Sequence, residues 1–97
     1  MATTQIEFCQ ASPDLQTIYA NGAVVESKTP SSSNQATTAV SRKDHNVVCV
    51  ATDTLVYVSF GASPNAGSDT IRFLCPAGSV RFFRLNAADI KAAIITP

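Results

Sequence analysis

Apolar residues in this chain fall in short runs rich in Val, Ile, Phe and Tyr, bounded by Gly, Pro, Asn and Ser. No long segment keeps an apolar stripe at helical spacing, so the pattern predicts strands. They are expected at residues 5–9, 15–19, 23–26, 47–51, 55–60, 70–74, 80–85 and 90–95. Turn signals separate them. Asn21-Gly22 has the composition of a two-residue hairpin turn, Gly61 to Ser68 contains Pro64 and Gly67, and Pro76-Ala77-Gly78 follows. The stretch 86–89 reads equally as one helical turn or a β-turn. Short strands and tight turns in a chain too short for a second core predict a single all-β domain. Its expected form is a small antiparallel β-sandwich or β-barrel, jelly-roll-like, with a long polar loop.

Alternation assigns side chains to faces. In Leu55-Val56-Tyr57-Val58-Ser59-Phe60, one face carries Val56, Val58 and Phe60 and the other Leu55, Tyr57 and Ser59. In Val80-Arg81-Phe82-Phe83-Arg84-Leu85, each face holds an aromatic ring. A sheet with one wet side should alternate cleanly, so two apolar faces imply cover on both, and a partner is a natural cover for the second. The expected core contributors are Val56, Val58, Phe60, Ile71, Phe73, Phe82, Ile90 and Ile94.

Segment 27–46 breaks the strand pattern. It contains Pro30, the run Ser31-Ser32-Ser33 and several Thr, with Val40 its single large aliphatic residue. Such a composition cannot close a core, and long connections of this kind are either functional loops or inert surface. The expectation is an extended loop or arm that grips a neighbouring subunit together with residues 2–10, becoming ordered on contact.

Composition narrows the function. Charged residues make up only 14% of the chain and hydrophobic residues 45%, with seven basic residues against seven acidic ones. No excess positive charge is available to neutralise a phosphate backbone, which disfavours nucleic acid as a partner. Zero net charge also removes the self-repulsion that keeps copies apart, so a homo-oligomer is expected. No apolar run is long enough to span a membrane, and the first ten residues lack the basic start and apolar stretch of a secretory signal, so folding in the cytoplasm is expected. Cys9, Cys49 and Cys75 are odd in number and widely spaced, which argues for buried free thiols over disulfides or zinc.

The search for chemistry finds little. His45 lies in Arg42-Lys43-Asp44-His45-Asn46, where a solvated loop residue is expected in preference to a general base. Cys49 lies in an apolar strand that would hold its thiol protonated. Phosphate loops, nucleophile elbows, His-Glu-x-x-His and clustered carboxylates are all absent from the sequence. The five aspartates stand singly beside turns, where backbone bonding is their ordinary use. No cofactor, metal or enzymatic activity is expected. Arg72-Phe73 and Arg81-Phe82-Phe83-Arg84 interleave guanidinium groups and rings as single-strand binders do, but the same arrangement serves a protein interface and suits the neutral charge better.

From Val47 to Ile95 the chain resembles small virion proteins of tailed bacteriophages. The likeness lies in Leu55-Val56-Tyr57-Val58-Ser59-Phe60-Gly61, the turn Ala62-Ser63-Pro64-Asn65-Ala66, Thr70-Ile71-Arg72-Phe73-Leu74-Cys75-Pro76-Ala77-Gly78, Val80-Arg81-Phe82-Phe83-Arg84-Leu85 and the aliphatic ending Ile90-Lys91-Ala92-Ala93-Ile94-Ile95. This resemblance implies a structural role in the virion: a capsid cement or decoration protein that binds the major capsid protein, with a trimer as its oligomer. The alternative is a small subunit associated with neck, tail or fibre, or a carbohydrate (receptor)-binding module. Absence of Trp and the presence of only Tyr19 and Tyr57 count against the sugar-binding form. The residues expected at a partner interface are Arg81, Phe83 and Tyr57 on the strands, and Pro30, Ser31, Ser32, Ser33 and Asn34 in the loop.

Overall fold

Among the described residues eight strands form, most of them where β-branched and aromatic residues alternate or run together. They are β1 (Thr4–Ala11), β2 (Ile18–Lys28), β3 (Gln35–Ala36), β4 (Val47–Thr52), β5 (Val56–Gly61), β6 (Phe73–Cys75), β7 (Ser79–Arg84) and β8 (Lys91–Ile95). A computed structural model of the protein describes residues 2–12 and 18–97. Most of the strand expected at 15–19 therefore lies outside the described residues. The strands make two antiparallel sheets, one in the order β2-β1-β4-β7 and the other β3-β8-β5-β6. They pack face to face as a sandwich, and among the described residues no backbone ladder joins one sheet to the other to close a barrel.

Between the sheets lie Ile6, Phe8, Val48 and Val50 from the first and Val56, Val58, Cys75, Ala92 and Ile94 from the second. All nine are essentially removed from water. Of the expected core, Val56, Val58 and Ile94 are fully buried, while Phe60, Phe73 and Ile90 are half-buried. Two residues are misplaced by the alternation argument: Ile71 is 71% exposed and Phe82 59% exposed. Ile71 precedes β6, which starts only at Phe73, so it stays in the connecting loop. Phe82 loses its place to its neighbour. Phe83 turns inward and stacks with Phe60 and Phe73, with ring centroids 5.0 Å away in each case. Strand alternation then forces Phe82 to the opposite face.

Asn21-Gly22 does not make a hairpin. The pair sits inside β2, where the register with β1 jumps from Phe8↔Val24 to Gln10↔Tyr19, so residues 20–23 bulge opposite Cys9. Gly22 supplies the φ of 82° that this bulge needs. Pro76-Ala77-Gly78 does turn tightly: Pro76 C=O accepts the Ser79 N–H at 3.2 Å, and Gly78 takes a φ of 77°. That turn passes the chain from β6 in one sheet to β7 in the other. Residues 86–89 form bends without a helix.

Segment 27–46 lies along the sandwich and does not project from it. β3 pairs with β8, Thr37 N–H donates to Ala92 C=O at 2.7 Å, and Ser41 N–H donates to Ile90 C=O at 2.8 Å. Thr37 and Ser41 are buried. The short polar side chains that suggested a free arm bond instead to backbone groups that a sheet edge would leave open. Of residues 2–10, expected to help that arm grip a neighbour, 4–10 belong to β1, an interior strand bonded on both flanks.

The two open sides of the sandwich are closed by one charged side chain each. On the β2 side, the Glu26 carboxylate accepts from Thr38 N–H, Ala39 N–H and Thr38 Oγ1 at 3.0–3.1 Å and pairs with Lys28 at 2.9 Å. On the β7 side, Arg81 donates to Leu74 C=O at 2.9 Å and lies over the rings of Phe83 and Phe73. Each seam thus joins the two sheets through a side chain where no strand ladder does.

Candidate interaction surface

The two sheets differ in what covers their outer faces. On the β5–β8 sheet, Ser59 and Ala93 face each other in register on the side away from the core, and both are fully buried. Their cover is the chain itself. Loop 62–72 folds back over this face, so that a Cβ on Gly67 would meet the Ile95 side chain at 3.1 Å. Arg72 places its guanidinium 4.4 Å over the Tyr57 ring and donates to Ala66 C=O at 3.1 Å. Asn34 fastens the loop from the other side, donating to Pro64 C=O at 3.3 Å and accepting the Ala66 N–H at 2.7 Å. The partner expected to cover the second apolar face of β5 is replaced by this loop.

Among the described residues no such loop covers β7 on the outer face of the β1–β4–β7 sheet. Register places Val25, Glu7, Cys49 and Phe82 in one row across the four strands, and Ser27, Gln5, Ala51 and Val80 in the next. Val25 is 52% exposed and Val80 56%, in line with Phe82. The short side chains of β4 (Cys49, Ala51) lie between taller neighbours on either side, which makes a shallow apolar trough. Gln5 and Glu7 flank it on the β1 side and Arg84 lies at its end.

The expected interface residues are not brought together. Arg81 and Phe83 belong to the closed seam beside β6. Tyr57 is on the outer face of the other sheet, half-buried under Arg72. Pro30 to Asn34 run beside β3, where Ser31 C=O accepts the Thr96 N–H at 2.8 Å and Ser31 Oγ bonds within the turn, while Ser32 and Ser33 are exposed. On the β1–β4–β7 sheet the more open apolar residues are Val80 and Phe82. The sequence signal for them was the aromatic on each face of β7, but alternation alone does not say which ring faces inward.

The titratable groups are dispersed. His45 is buried, at 8% exposure, not solvated as its polar neighbours suggested. It lies against the Gly22 bulge, with Nδ1 2.9 Å from Asp44 Oδ1 and Nε2 without a hydrogen-bond partner among the described residues. The hydrogen bond from His45 holds the Asp44 carboxyl below the usual carboxylate range. Burial pushes the Cys49 thiol up to about 11, with Glu7 and Cys9 adding to the effect, and burial also raises Cys9 and Cys75. A thiolate nucleophile needs the opposite shift. Asp53 and Asp69 bond turn backbone, accepting from Thr3 N–H and Asn65 N–H. Among the described residues no three His, Cys, Asp or Glu side chains lie close enough together to hold a metal ion.

No protein-family model, curated protein or solved structure matches this chain. The functional reading therefore rests on the surface just described and on the sequence pattern.

Proposed function

We propose that this protein is a non-catalytic structural subunit of a tailed-phage virion, a cement or decoration protein that binds the assembled head through protein–protein contacts. The observation that carries the reading is the apolar trough on the outer face of β4 and β7, floored by the short side chains of Cys49 and Ala51 and walled by the exposed Val80 and Phe82. Apolar patches with a polar rim on small proteins mark docking sites, and a rigid sandwich loses little entropy on binding. A neutral surface with few charges suits permanent contact with a shell of many identical subunits, since it brings no long-range repulsion between neighbouring copies. Resemblance of residues 47–95 to small phage virion proteins supports the choice of a capsid subunit as the partner.

The test uses purified heads that lack the protein. Wild type should bind them and raise their resistance to heat. A variant carrying Ala51→Asp, on the floor of the trough and away from β7, should bind at least about tenfold more weakly, since a charge desolvated at an apolar interface costs well over the free energy of one decade. Ile71→Asp, on the loop over the other sheet, should bind as wild type does. Failure of wild type to bind any head would overturn the decoration role, and equal binding by the trough variant would overturn the surface.

A further inference from the structure

We infer that β7 is a self-pairing edge: two copies of this chain join antiparallel through residues 80–84, merging their β1–β4–β7 sheets into one of eight strands. This rests on the backbone of β7 and not on the proposed role in a virion.

The sandwich has four edge strands, and three of them are guarded. β2 is interrupted by the bulge at 20–23 and ends in Lys28, while β3 has two residues and β6 three. Bulges, lysines and short length are the ordinary means of blocking edge pairing. β7 has six residues in unbroken register with β4 and contains neither Pro nor Lys. The inward-facing charge that might guard it, Arg81, is already tied to Leu74 C=O within its own copy.

The direction of its free backbone groups follows from the ladder. Leu85 N–H donates to Asn46 C=O, and on the far side of β4 Asp53 N–H donates to Thr3 C=O. Alternation from both bonds turns the N–H and C=O of Arg81 and Phe83 toward β4 and those of Val80, Phe82 and Arg84 outward. Those three residues are exposed, and among the described residues no backbone hydrogen bond outside the strand ladders engages 80–84.

A second copy fits this edge better than an unrelated strand because the side-chain order is self-complementary. A two-fold axis at Phe82 sets Phe82 beside Phe82 of the second copy, Arg84 beside its Val80, and Arg81 beside its Phe83. No like charges stand directly opposite, the two central rings meet, and each Arg81 reaches a second aromatic face. Arg84 also arrives at the hollow that Val80 lines with Asp53, so each copy offers a guanidinium where the other offers a carboxylate. Both copies keep their apolar troughs facing outward, doubled in width.

Sedimentation velocity from micromolar to millimolar protein should show a reversible monomer–dimer equilibrium. Phe82→Pro removes only an outward N–H, a position where an edge strand tolerates proline, and should raise the dimer dissociation constant at least about tenfold, the worth of one or two net hydrogen bonds. Phe82→Lys keeps the backbone donor and should act in the same direction by placing two ammonium groups side by side. Since Cys9, Cys49 and Cys75 are buried, Phe82→Cys adds one exposed thiol and should form a covalent dimer under mild oxidation much faster than Val25→Cys does. A monomer at every concentration, a trimer, or equal cross-linking rates for the two cysteine variants would overturn the proposal.

Discussion

Gly22 and His45 touch across the sandwich end: a Cβ built on Gly22 would lie 2.9 Å from His45 Nε2. Two separate constraints therefore act on one glycine, its left-handed φ and the imidazole packed against its Cα. We expect Gly22→Ala to lower stability by about 1–3 kcal/mol from the backbone alone, and more if the ring must move. Urea unfolding measures this directly. A loss under ~0.5 kcal/mol would mean that the bulge relaxes into another register.

Glu26 makes stability depend on pH in the acid range. Burial raises its carboxyl, but the Lys28 ammonium and the hydrogen bonds from Ala39 and Thr38 outweigh that and hold it below the ordinary value of 4.5. A group depressed on folding contributes its full stability above its unfolded pKa and loses it as pH falls through the folded one. The contribution should therefore be complete at neutral pH and decline below 4.5. Glu26→Gln should cost about 1.5–3 kcal/mol at neutral pH, the usual worth of charge-assisted bonds, and progressively less in acid. Parallel denaturation curves for the two proteins across pH 3 to 7 check the sign. A gap that widens toward acid would contradict it.

Neighbouring faces of the first sheet predict opposite outcomes for two phenylalanines. Phe8→Ala should cost about 3–5 kcal/mol because the ring is buried among core aliphatics. Phe82→Ala should change monomer stability by less than about 1 kcal/mol, because the ring already meets water. Denaturation at low protein concentration, where association is negligible, separates them. A large loss for Phe82 would place it in the fold's interior.

The strands were legible in the sequence because β-branched and aromatic runs between turn residues state their own periodicity, as at 47–52 and 56–61. What alternation does not encode is sidedness. Phe82 and Phe83 are adjacent and equally apolar, and the choice between them is made by Phe60 and Phe73, which belong to other strands. Asn21-Gly22 misled for a related reason: positive φ is needed by a bulge as well as by a hairpin, and only the partner strand distinguishes the two. Segment 27–46 read as an arm because it has almost no large apolar side chains. Its attachment is made by backbone groups and by Glu26, Thr37 and Ser41, whose bonds to distant residues leave no periodic trace. The trough followed the same rule, since its rows assemble only when four strands come into register.

The order of strands in the second sheet also sets a timetable. β8 lies between β3 and β5, so until residues 91–95 exist β3 has no strand to pair with and β5 has only β6. On the ribosome, β1, β2 and β4 can pair as soon as residue 52 has emerged, while β3 and one flank of β5 stay open for the strand that will lie between them. Tertiary structure in this chain is thus completed by insertion of a late strand into a waiting gap, a long-range closure of the kind that slows β-sheet folding. During that interval the apolar inner face of the first sheet is uncovered, and the nascent chain is then most open to chaperones and to mispairing with its own kind.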